Sequence, residues 1–287
     1  MGQQPFRFSR RAAIKSGLGF ALAHSLSGQS EPPTPTSEEK AAASELWERM
    51  IEAKGGRDRL HGVETLVETT RTHLVFPPSP KFKNGDELYV QAMAFPDRIW
   101  KWDDARPTVF GMSIDVRNLS TGFRYLVYPG NDVRKLDEVR GETNWLEIAQ
   151  VTIFNETRWV RPKPVRIRTD REIPRGVTVL ETEWDGCRWD FWIQEKDHLP
   201  ARILKYEPAS WDANRIIVSY YDFADYRSVD GIQIPHKISV RYVEGKPVRF
   251  TPATFILNPR LRDDLFSTIP RSEDPSDAWR PRDEWAR

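Results

Sequence analysis

Cysteine is nearly absent. Cys187 is the only one in 287 residues, so no internal disulfide can form and C-x-x-C metal or redox chemistry is excluded. A lipobox cysteine is missing from the N-terminal region, so no lipid anchor is expected. Histidine is also scarce. Beyond residue 28 there are only His61, His73, His198 and His236, no two of them close in sequence. The chain has no H-E-x-x-H, no G-x-S-x-G elbow, no Walker loop and no G-x-G-x-x-G after a strand. Neither sign of charge dominates. With 43 Lys and Arg against 42 Asp and Glu, the net charge is +1, which argues against nucleic acid or an anionic membrane as a steady partner. After the leader, no apolar run approaches the about 20 residues of a spanning helix. These absences leave no expected catalytic residue, no metal and no cofactor.

The residues that could still carry chemistry read as structural. His61 and His198 sit at turns and are expected to be solvated. His73 and His236 lie on strands as satisfied structural histidines. Asp103-Asp104 reads as a turn pair, and Asp225 as a residue fixing the turn to Ser228. Cys187, among Trp184, Trp189 and Phe191, reads as a buried, inert thiol.

The chain opens with SRRAAIKSGLGFALA at residues 9–23. Arg7, Arg10, Arg11 and Lys15 form a positive region before a weakly apolar stretch of about fifteen residues, too short to span a bilayer and suited to a signal peptide. The pair Arg10-Arg11 points to twin-arginine export. Ala13 stands where that motif usually has phenylalanine, so an ordinary Sec signal is the alternative. Cleavage could follow Ala21-Leu22-Ala23 or Ser25-Leu26-Ser27. Either signal places the mature protein in the periplasm, and loss of the four basic residues takes the net charge from +1 to −3. The reading is a leader over 1–28, a Pro- and Ser-rich linker over 29–37, one domain over 38–270 and a polar tail over 271–287.

Within the domain, Ser37 reads as the N-cap of an amphipathic helix carrying Ala43, Leu46, Trp47, Met50 and Ile51, ended by Gly55-Gly56. From Val63 the period becomes two, and strands follow with Trp100 and Trp102 on one side. Residues 141–160 return to helical spacing before Pro162 and Pro164. Asp185-Gly186 between two alternating runs is a hairpin signal. Longer strands are expected over 201–206, 215–225, 232–243 and 248–257. The 232–243 strand alternates apolar and polar residues, as in an antiparallel sheet with one wet face whose dry face is covered by the two helices.

Four stretches carry a family resemblance: ELWERMIEAKGGRDRLHGVETL, WIQEKDHLPARILKY, YYDFADYRSVDGIQIPHKISV and FILNPRLRDDLFSTIP. Their helix–Gly-Gly–strand opening, Leu-Pro turn and closing Asn with Asp-x-x-Phe resemble the LolA-like, outer-membrane lipoprotein-sorting proteins over most of residues 38–270. The resemblance implies a mainly β fold with helices (α+β). Its core would be a strongly curved open antiparallel sheet, an unclosed barrel with helices across its mouth. It also implies a non-catalytic, monomeric periplasmic carrier whose partner is a lipid or a lipoprotein acyl chain. The alternatives are an envelope interaction or sensor protein without a transported ligand, with envelope proteins as partners, and a hydrolase acting on an apolar substrate. Face logic nominates Trp189, Phe191, Ile193, Ile232, Ile234, Ile238, Val240 and Tyr242 as inward-facing, ligand-lining residues.

Overall fold

The computed structural model describes residues 34–75, 83–106, 108, 110–128, 132–136, 144–168, 173–209, 212–242 and 249–269. The leader with Arg10 and Arg11, most of the linker and the tail lie outside the described residues.

Helix α1 spans Ser37–Lys54. Thr36, one residue before the expected Ser37, is its cap. Only Thr36 has a glutamate three positions on, and Glu39 closes a capping box: its N–H donates to Thr36 Oγ1 at 3.2 Å while Thr36 N–H donates to Glu39 Oε2 at 2.7 Å. Ala43, Leu46, Trp47, Met50, Ile51 and Lys54 form the buried stripe. The helix stops because Gly55 and Gly56 take φ of +126° and +87°, and Gly55 N–H caps Glu52 O at 2.9 Å. Gly55 is also a point of close approach: a Cβ there would lie 2.3 Å from Gly231 O. A one-turn helix α2, Arg57–His61, follows.

The chain then runs up and down through β1 (Thr65–Leu74), β2 (Gly85–Ala94), β3 (Arg98–Asp104), β4 (Met112–Asn118), β5 (Phe123–Tyr128) and β6 (Asp132–Lys135). It crosses through helix α3, Asn144–Ala149, and a π turn, Gln150–Phe154. It returns through β7 (Lys163–Arg168), β8 (Val177–Trp184), β9 (Cys187–Gln194), β10 (Pro200–Ala209), β11 (Asp212–Val229), β12 (Ile232–Arg241) and β13 (Thr251–Leu257). The order β6-β5-β4-β3-β2-β1-β13-β12-β11-β10-β9-β8-β7 makes one antiparallel sheet of thirteen strands that is not closed into a barrel. This is the curved open sheet with helices that was expected.

Local chemistry explains most boundaries. Asp185-Gly186 and Asp230-Gly231 each place two successive residues at positive φ (50° and 67°, 49° and 79°), the geometry that two-residue hairpins require. The second hairpin is therefore tighter than expected. β11 runs on to Val229, and Asp225 lies inside it at φ +58° and bonds Arg227 instead of fixing a turn. The expected helix over 141–160 is cut short. Side chains of Gln150, Thr152 and Asn155 donate to the carbonyls of Leu146, Ile148 and Val151 at 3.1, 2.6 and 3.1 Å. This competes with regular helical pairing, and Asn155 ends the turn at φ +68°.

The expectation of one wet face needs correction. The main core lies between α1, the π turn and one face of the sheet. In β1–β5 the opposite face is dry as well. Val67, Val90, Trp100, Trp102, Ile114 and Val127 form a second core there, and Leu265 and Phe266, from the segment after β13, pack on it.

Candidate functional site

Cross-strand partners on one face stand directly opposite each other, so the register shows what the helix-covered face carries. Ile167, Leu180, Phe191, Ile203, Tyr221 and Val240 pair in succession across six strands, β7 to β12. They form an apolar lane about 24 Å long at the usual strand spacing. Its middle is sealed, with Leu180, Phe191 and Ile203 at 0% exposure, whereas Tyr221 is 7% and Val240 46% exposed. The lane therefore leaves the helix cover at β12.

Of the eight candidate residues, Trp189, Phe191, Ile193, Ile232 and Ile234 are buried in the main core, and Ile238 packs on it. They do not face an open hollow, because the protein's own side chains occupy the space: Trp47 of α1 meets Phe191 edge-on at 5.2 Å. Val240 shares the face with them, opposite Tyr221, and Tyr242 lies two residues further on. Neither is enclosed as expected. They are 46% and 45% exposed, since the helices end short of that part of β12.

The cover is fastened by buried polar groups that the sequence reading did not single out. Glu156, whose side chain is 4% exposed, accepts from Trp47 Nε1 at 3.0 Å and Arg57 Nε at 2.8 Å, and pairs with His61 Nε2 at 2.7 Å. His61 is thus half-buried and partnered, not solvated. Burial would raise the Glu156 pKa, but the bonds from Arg57, Trp47 and His61 outweigh it and hold the carboxyl below its usual value. Lys54, fully buried, donates to Ile153 O at 2.6 Å and lies 5.0 Å from the centre of the Tyr226 ring. Burial lowers its pKa to about 7. Helices α1 and α2 and the π turn are thereby tied into one unit.

On the β1–β4 half the same face carries a polar row beside Leu66, Met93 and Ile99 of the main core. Glu68, Gln91, Lys101 and Asp115 pair in succession. Tyr89 Oη donates to Gln91 Oε1 at 2.8 Å, and Gln91 in turn bonds Glu68. The helix-covered face is therefore amphipathic across its width. On the outer face of the other half, Asp190 is wholly buried beneath Arg168, at 2.7 Å, and Arg188, at 2.6 Å. Asp222 holds Arg202 and Arg241, each at 2.6 Å. These pairs brace the sheet from outside.

The residues weighed for chemistry stay apart. His73 bonds Asp86 at 2.7 Å on an exposed edge of the β1–β2 pair. His236 is buried edge-on against Phe255 at 5.5 Å, on a strand as expected. Burial and Arg227 keep its pKa below the usual value, with Asp225 and the backbone of Ala253 opposing them. Asp104 closes a turn by bonding Arg106 at 2.6 Å. Cys187 is half-buried, and burial raises its pKa. Among the described residues no group of three His, Cys, Asp or Glu could hold a metal ion, and no helix is long and apolar enough to cross a membrane. An open cavity of about 520 Å³ lies elsewhere, between the start of β1, the end of β2 and residues 258–266, with Arg98, Arg260 and Arg262 beside Glu64 and Asp263.

No protein-family model matches the chain, and no curated protein matches it. In three dimensions it is similar to a LolA superfamily protein from Nitrosomonas europaea, at 11% identity and a TM-score of 0.47, over 79% of this chain and 97% of that one. It is also similar to a DUF1329 family protein from Desulfovibrio piger, at 12% identity and a TM-score of 0.45, over 80% of this chain and 97% of that one.

Proposed function

We propose that this protein is a non-catalytic periplasmic binding protein that takes a lipid or lipoprotein acyl chain onto the helix-covered face of its sheet. The observation that carries the reading is the apolar lane from Leu180 to Val240, sealed beneath α1 at one end and open to water at the other. An acyl chain gains about 0.8 kcal/mol for each methylene removed from water, and exposed Val240 and Tyr242 offer it a first landing. Further entry requires Trp47 to leave Phe191. The acyl chain replaces the apolar contact, while the hydrogen bond from Trp47 to the buried Glu156 opposes the movement. The leader around Arg10 and Arg11 supports export, and the scattered histidines and cysteine support binding over catalysis.

The test is uptake of a fluorescent fatty acid by the full chain, together with native mass spectrometry of protein recovered from a bacterial envelope. Val240→Asp is expected to weaken uptake at least five-fold. Ile216→Asp, at a position 51% exposed but on the other face by register, is expected to leave it intact. Absence of both uptake and co-purified lipid, or equal losses in the two variants, would refute the proposal. The filled contact between Trp47 and Phe191 favours a second reading, an envelope interaction protein with no transported ligand, and that reading gains if no lipid binds.

A further inference from the structure

Beside the apolar lane runs a second row on the same face, Trp189–Lys205–Ser219, paired across β9, β10 and β11. Lys205 is 1% exposed. Burying an ammonium costs several kcal/mol unless good partners offset it, and its partnering here is lopsided. Its carboxylate partner is Glu207, two residues along the same strand, whose side chain is 34% exposed and free to turn to solvent. Its Nζ lies 5.6 Å from the centre of the Trp189 ring. Trp189 and Trp184, both in the layer against the main core, each bury an indole N–H with no acceptor. Such orphaned donors are uncommon in folded proteins. The spot thus holds a buried ammonium and the unmatched Trp189 indole N–H next to a lane suited to hydrocarbon, with Glu207 and Glu147 as the carboxylates that act on Lys205. Glu147 of α3 and Cys187 stand at its half-buried rim, and burial raises the pKa of each, as expected of a place already partly withdrawn from water.

We propose that Lys205 is a headgroup site, where the anionic oxygen of a single-chain amphiphile, a carboxylate or a phosphate, replaces Glu207 while the chain lies along the lane. This inference rests on the acyl-binding reading above and names the class of ligand. Lys205 supplies the charge, and Trp189, paired with it across β9 and β10, carries an indole N–H for which the protein itself provides no acceptor.

The experiment measures binding of palmitate, palmitoyl lysophosphatidate and methyl palmitate to the full chain by tryptophan fluorescence. Circular dichroism checks that each variant is folded. Wild type is expected to bind one or both anions at least ten-fold more tightly than the ester. Preference for lysophosphatidate alone assigns a phosphate head, and preference that includes palmitate assigns a carboxylate. Lys205→Met is expected to bring anion binding down to the level of the ester. Glu207→Gln keeps a polar side chain of the same size beside Lys205 but removes the competing carboxylate, and in protein that circular dichroism shows to be folded it is expected to tighten anion binding about three-fold. Equal binding of anions and ester by wild type, or no response to Glu207→Gln, overturns the headgroup site while leaving the acyl reading intact. Failure of all three amphiphiles, the ester included, overturns the acyl reading itself.

Discussion

Lys54 gives the sharpest test of how the helical cover is held. Its ammonium is fully buried, against the Ile153 carbonyl oxygen and the Tyr226 ring. Burial takes its pKa from 10.5 in an unfolded chain to about 7 in the fold. Between these values the unfolded state binds more protons than the native state, so stability rises with pH. From pH 7 to pH 9 the unfolded chain keeps this proton while the folded chain goes from half to almost none. At about 1.36 kcal/mol for each pH unit of full difference, the gain is about 2 kcal/mol. The assay is urea unfolding at 25 °C followed by tryptophan fluorescence, at pH 7 and pH 9, on wild type and on Lys54→Met. Every other titrating group contributes to both proteins and cancels in the comparison. Wild type is expected to gain about 2 kcal/mol more than the variant over this range. Lys54→Met is also expected to be the more stable protein at pH 7, as when a buried charge gives way to an apolar side chain of similar size. Identical pH dependence in the two proteins would refute the argument, because Lys54 would then not be titrating inside the fold.

Two further outcomes probe the same cover. Glu156→Gln is expected to lower stability by about 2 kcal/mol, through weaker charge-assisted bonds to Arg57, His61 and Trp47. Because the folded pKa of Glu156 lies below its usual 4.5, this contribution is present at neutral pH. The gap between wild type and variant should close as the pH falls below about 4.5, read from melting curves at pH 7 and pH 3.5. Gly55→Ala is expected to lower the melting temperature by several degrees, since a Cβ would sit 2.3 Å from Gly231 O at a φ of +126°. Gly122→Ala, with nothing within 4 Å of the added carbon, serves as the milder control and carries only the strain of its positive φ.

Much of the scaffold was legible because its signals are local. The 3.6-residue stripe of α1, the Gly-Gly stop, the two-residue period of the strands and the Asp-Gly hairpin all depend on neighbours within a turn or a pleat. The facing of Phe191, Ile234 and Ile238 followed from alternation alone. Where the reading missed, the deciding partner was distant or two local signals competed. Thr36 took the cap from Ser37 because the glutamate spacing favoured it. Polar side chains of Gln150, Thr152 and Asn155 broke a helix whose apolar spacing pointed to continuation.

The amino-acid sequence by itself determined the elements, the up-and-down antiparallel order within hairpins and which residues share a strand face, since each follows from backbone geometry over a few residues. Only the tertiary structure decided which of two alternating faces is covered, and how far along each strand the cover reaches. A strand reads the same whether its polar side meets water or α1, so Glu68 and Gln91 turned out to be inside while Val240 and Tyr242 are open to solvent. Only the fold brought Glu156 to Trp47 across 109 positions and placed Lys54 on Ile153 across 99. Burial of a charge depends on what the remote chain packs around it, and no local pattern encodes that.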